Sequence, residues 1–169
     1  MRGSNRIWLS TFDGTWGRAW AKIDKLIVTN VQALRSKYGT RSLAEISAAV
    51  DAMIAADAAR GLVTRLIDLS SRSQMRAVRG KAVLDPDVRK ASNDAIDAAY
   101  RALMPDYLVI LGSIDVVPHQ SLVNPLFSKD PDGDDDRYVD SDLPYEVRRK
   151  RHAGEQLFPA AVHLVPHQD

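Results

Sequence analysis

The chain contains no cysteine, which excludes disulfides, thiolate metal sites and a cysteine nucleophile supplied by these 169 residues. Long hydrophobic runs are missing as well, and no window approaches the roughly 18 consecutive apolar residues of a membrane span. Charge of one sign is scarce: 23 Lys plus Arg against 22 Asp plus Glu leave a net charge of +1. A broad field for nucleic acid or a membrane surface is therefore not expected. Glycine-rich phosphate loops are also wanting, since neither GxGxxG nor GxxxxGK[ST] occurs. The turn after KLIVTN has no glycine through which a pyrophosphate would approach the backbone, so a Rossmann cofactor is not expected. The opening MRGSNRIWLSTFDG lacks the apolar core and small-residue cleavage site of a secretory signal. Nothing in it directs export, and the cytoplasm is the default expectation.

What is present is the composition of an ordinary globular domain, 45% hydrophobic and 27% charged, over a length suited to one core and not two. Residues 1–24 carry all three tryptophans, Trp8, Trp16 and Trp20, and read as an arm that packs its indoles over the rest. KLIVTN reads as a strand. Val31, Leu34 and Tyr38 then mark a helical face that Gly39 closes. Ser42 and Glu45 form a capping box, and the apolar spacing beyond them predicts a second, long helix over 43–60.

LVTRLIDL (62–69) is a strand whose Arg65 and Asp68 suggest an edge, and Ser70 to Gly80 reads as an exposed connection. Asp85 and Pro86 are placed to open a helix that runs to Pro105. The apolar run Tyr107–Leu111 is expected to be a strand buried on both faces, followed by a polar loop to Tyr145. Strands alternating with amphipathic helices make this an α/β fold, a mainly parallel sheet flanked by helices. Residues 146–169, which open on the basic run EVRRKRH, read as a disordered tail.

The loop beyond Leu111 holds the candidate chemistry, because parallel sheets gather reacting groups past the carboxyl ends of their strands. Asp130, Asp132, Asp134 and Asp136 surround Gly133 and form a candidate site for a hard cation such as calcium. The spacing is not that of an EF-hand, and a solvated turn is the competing reading. Ser113, Asp115 and His119 suggest a nucleophile, an acid and a base. A triad is defined by geometry, however, and no GxSxG elbow is present. A small hydrolase using Ser113 or His119 and a stand-alone binding module using the acidic loop are thus both open. Three histidines, His152, His163 and His167, fall in the tail and receive no role.

KLIVTN with VQALRSKYG, DAARGLVTRLIDLS, PDYLVILGSIDVVPHQ and SDLPY together resemble the opening region of gingipain-like cysteine peptidases. The resemblance covers residues 24–145. It implies a caspase-like, Rossmann-like three-layer sandwich over 25–145, here incomplete, and a reaction by a thiolate and an imidazole. In that family both lie downstream of the SDLPY-like segment, so no catalytic residue carries over and the chain is expected to be inactive alone. Asp115, His119, Asp142 and Tyr145 are left as loop-organising residues. The expected partners are the missing catalytic half, a peptide substrate, or a second copy meeting an exposed edge. A frame change after Tyr145 would produce such a tail, and reading the DNA past codon 145 in all frames tests this.

Overall fold

The structure is a computed structural model that describes residues 22–130, 133–142 and 145. The tryptophan arm up to residue 21 and the basic tail lie outside the described residues.

The sheet is built around β1 (Lys25–Thr29), whose β-branched and apolar sequence suits a pleat covered on both sides. It pairs in parallel with β2 (Thr64–Asp68) on one side and β3 (Tyr107–Ile110) on the other. Register is set so that Val28 lies between Ile67 and Ile110. The crossover from β1 to β2 runs to one side, and the crossover from β2 to β3 runs back past β1 to the other. Right-handed connections then put their helices on opposite faces of the sheet. Leu26, Ile27 and Val28, which alternate between those faces, are accordingly all fully buried. The fold class is α/β, a parallel three-stranded sheet with flanking helices.

Helix α1 (Val31–Ala59) makes the first crossover. Asn30 stays extended and its Oδ1 accepts from the Ala33 N–H at 3.0 Å, which starts the helix. The two helices expected from the sequence are both present, run together in α1 and divided at Gly39, whose φ 76 and ψ 171 are not helical. That backbone is open to glycine and almost nothing else. Helical geometry resumes at Thr40, before the capping box, and buries Leu43, Ser47 and Val50.

Ser70 to Gly80 is not simply an exposed connection. It contains a short helix, α2 (Arg72–Ala77), capped by the Ser71 side chain, and it lowers Met75 into the core at zero exposure. One buried methionine of this kind contributes about 1.5–3 kcal/mol, enough to draw a polar stretch into helix. Helix α3 (Arg89–Leu103) starts later than Asp85 and Pro86 suggest. Asp85 Oδ1 accepts from the Asp87 N–H at 3.0 Å, so that side chain closes a turn ahead of the helix. Met104, at φ 47, and Pro105 end the helix.

Two expectations need correction. β3 is not buried on both faces: Tyr107 is 57% exposed and Leu108, Val109 and Ile110 are only half-buried. The central place belongs to β1, and no described strand covers the far edge of β3. The loop to Tyr145 is also not irregular throughout. It contains a hairpin of β4 (Gln120–Val123) and β5 (Tyr138–Ser141), antiparallel, with Leu122 opposite Val139. Strands this short and this polar give little apolar alternation from which to read them. Among the described residues, no helix is long and apolar enough to cross a membrane.

Candidate functional site at the switch point of the sheet

With the order β2-β1-β3, the direction of winding reverses between β1 and β3. The crevice outside the carboxyl ends of those two strands is where such sheets hold ligands. Here it is bounded by Thr29 and Asn30 after β1 and by Leu111 to Asp115 after β3. The Thr29 hydroxyl crosses it, donating to the Leu111 carbonyl at 2.6 Å. Gly112, at φ 133, turns the chain where a Cβ would come within 2.6 Å of Val116.

The first turn of α1 follows directly on Asn30 at this crevice, where doubly wound folds usually seat a phosphate on free N–H groups. Here all four N–H groups of that turn are taken by the protein itself. Val31 donates to Asp68 Oδ1 at 3.0 Å and Gln32 to the Ser70 hydroxyl at 3.3 Å. Ala33 bonds the Asn30 side chain, and Leu34 the Asn30 carbonyl. Asp68 places its own carboxylate against the helix dipole, the position an anionic ligand would take. Asn30 is locked from its other end by a bond from Nδ2 to the Val83 carbonyl at 3.0 Å.

Ser113 and Asp115 do come together past the strand end, with the hydroxyl donating to Asp115 Oδ1. Their third member is not His119 but Lys37, which reaches across from α1. Its Nζ lies 2.7 Å from Ser113 Oγ and 2.6 Å from Asp115 Oδ2. Hydrogen bonding to Asp115 raises the pKa of this ammonium, and the Lys37 bond in turn lowers that of the Asp115 carboxyl. Both partners stay charged at neutral pH. A charged ammonium cannot take the Ser113 proton, so Lys37 does not serve that hydroxyl as a base. His119 bonds neither residue among the described contacts. The Asp140 carboxyl is lowered chiefly by its hydrogen bond from Arg89, with which it is also ion-paired.

The acidic loop is exposed, and several of its carboxylates are bonded within the loop and to Asn124. Asp134 accepts from Asn124 Nδ2 at 2.9 Å and from the Asp136 N–H at 3.0 Å, and Asp130 accepts from the Ser128 hydroxyl at 2.9 Å. Asp132 lies outside the described residues. Among those described, no three acidic or histidine side chains are grouped to hold a metal ion.

Tyr145 is buried, and its hydroxyl donates to the Pro118 carbonyl at 2.6 Å while accepting from Gln120 Nε2 at 2.6 Å. Burial pushes the phenol up to about 12. Gln120 also reaches the Arg89 carbonyl at 3.0 Å, and the Asp142 carbonyl accepts the Tyr145 N–H at 2.8 Å. The segment containing Tyr145 is thereby tied to the PHQ turn and to the start of α3. Asp142 contributes through its backbone.

Sequence reasoning misses Lys37, which nothing local distinguishes from any surface lysine, and Asp68, which it reads only as a reason for β2 to lie at an edge. Arg89 and Asp140, which pin the hairpin to α3, carry no signal either. No protein-family model, curated protein or solved structure matches the chain.

Proposed function

We propose that this chain is a non-catalytic scaffold of the gingipain-like kind: it supplies the first three strands of a caspase-like sheet, and another segment brings the cysteine and histidine. The observation that carries this reading is the uncovered edge of β3, a central-type sequence with half-exposed Val109 and Ile110 and no described strand beyond it. Apolar β-rich strands of this kind are stable when flanked on both sides, and an open one is a template for a further strand. Two features of the crevice agree with a supporting role. Its helix N-terminus is filled by Asp68, and the Ser113–Asp115 pair is neutralised by Lys37.

The test is to purify the chain alone and also co-expressed with the carboxyl-terminal half of a gingipain-like peptidase, and to assay both on a mixed peptide library. The chain alone should cleave nothing. The co-expressed pair should co-purify and show cleavage that a thiol-alkylating reagent stops. Cleavage by the chain alone that is lost in Ser113→Ala or His119→Ala would replace this reading with the hydrolase, and absence of any complex would remove its support.

A further inference from the structure

Between α2 and α3 runs an open groove of about 1310 Å³, larger than the usual small-molecule pocket. Its floor is made of small side chains, among them Ala91, Ala95 and Ala98. Along its rim stand Arg76, Arg79, Lys81 and Arg101. Arg101 is paired with Asp97 at 3.1 Å, and the carboxylate on the rim, Asp94, is held by Lys90 at 2.6 Å. Arg76, Arg79 and Lys81 are exposed and make no side-chain hydrogen bond or ion pair among the described residues. Arg79 adopts φ 58 at the end of α2, a place helices usually give to glycine. Glycine is instead needed one residue later, because a Cβ on Gly80 would come within 2.5 Å of Met75 and 3.0 Å of Ala98.

The chain carries a surface of mainly opposite charge, in which the exposed Asp130, Asp134, Asp135 and Asp136 outnumber the exposed Lys129 and Arg137. The turn that joins β4 and β5 exposes Asp135 and Asp136, whose carboxylates have no partner among the described residues. Beside them Leu126 is 74% exposed, and Val123, Tyr138 and Val139 are also exposed. The hairpin is held to the start of α3 by Arg89, through Asp140 and Gln120, which leaves its acidic turn outward.

We propose that the alanine-floored groove receives the acidic hairpin turn of a second copy of this chain, so that the protein associates head to tail. The shapes complement one another: large apolar side chains project from the hairpin, and alanine methyl groups line the groove floor. The charges do too, with unpaired carboxylates meeting unpaired guanidinium and ammonium groups. Groove and turn are different patches, so the contact is heterologous and propagates beyond a dimer unless it closes into a ring. It is independent of the β3 edge and of the scaffold reading.

Sedimentation velocity on the full chain tests this with two variants, Arg76→Glu/Arg79→Glu in the groove and Asp135→Asn/Asp136→Asn in the turn. Wild type should form species larger than dimer at low salt, with association about tenfold weaker at high salt as screening grows. Each variant alone should be monomeric. An equimolar mixture should give a one-to-one pair and nothing larger, because one intact turn then meets one intact groove; that pairing also shows both variants to be folded. A wild type that stays monomeric at high concentration overturns the proposal, as does a mixture that fails to pair. Variants that still self-associate would assign association to the β3 edge, and a monomeric wild type that binds single-stranded oligonucleotide would assign the groove to nucleic acid; either result overturns it.

Discussion

Asp57 shows most clearly how a single residue is made tolerable by its surroundings. Its side chain has no exposed surface, yet it is a carboxylate at the end of α1. It survives there because Lys25 Nζ lies at 2.6 Å, the Thr64 hydroxyl donates at 2.7 Å and Arg60 closes the remaining side. A buried charge is acceptable only when paired and hydrogen-bonded to this extent. The Lys25 hydrogen bond is the largest reason that the carboxyl falls from 3.8 to about 2. Because the folded value lies below the unfolded one, the ionised form stabilises the fold at full strength above pH 3.8, and that stability drains away as pH falls through the window down to about 2. Asp115 and Asp140 are lowered as well, but their side chains are about half exposed, so salt screens them. In concentrated salt the acid limb of a denaturation series should therefore belong chiefly to Asp57. Asp57→Asn should be less stable at neutral pH and should lose that limb. An unchanged slope between pH 4 and 2, followed by circular dichroism in urea, would show that the carboxylate is not what holds this corner.

At the scale of elements, two glycines separate backbone strain from crowding. Gly39 has φ 76 with nothing within 4 Å of the place a Cβ would occupy, whereas Gly112 has φ 133 and would drive a Cβ to 2.6 Å from Val116. Gly39→Ala should lose about 1–3 kcal/mol from strain alone. Gly112→Ala adds an overpacking penalty of about 1–3 kcal/mol and should be the worse of the two in chemical denaturation. Equal losses would mean that Val116 gives way. The same pair explains what can be read in advance. Gly39 is legible as a helix end because positive φ leaves a mark in the sequence. The helix on its far side is legible as well, although it starts at Thr40, ahead of the capping box Ser42/Glu45 from which its start is read. The α2 segment RSQMRA looks exposed because one methionine among polar residues gives no period, although packing of that one side chain decides the element. The strands β4 and β5 are invisible for a related reason: four-residue strands obtain their pairing from each other and from Arg89, and neither contact is local. In the candidate site, Ser113 and Asp115 are legible as lying past a strand end. Lys37 is not, because the contact that brings it there spans 76 residues of sequence.

For the whole molecule, the decisive question is whether the sheet is closed on both sides. The apolar run YLVI reads as a central strand because hydrophobicity reports how much burial a segment favours and not which neighbours supply it. In the structure the central strand is β1, and β3 has one partner among the described residues. Tyr107 and Leu111 donate their N–H groups to the Asp24 and Val28 carbonyls. By the alternation of a parallel ladder, the Leu108 and Ile110 N–H groups therefore face away from β1, toward the edge that no described strand covers. Amides of this kind exchange through small local motions, whereas those of β1, flanked on both sides, require the sheet itself to open. Hydrogen exchange followed residue by residue should thus find Leu108 and Ile110 within roughly tenfold of unstructured rates, and Leu26 and Val28 slower by about a thousandfold or more. Supplying the segment that completes the sheet should bring Leu108 and Ile110 down to the rates of β1. Protection at those two amides in the chain alone would mean that the edge is already occupied, and the open-scaffold reading would lose the observation on which it stands.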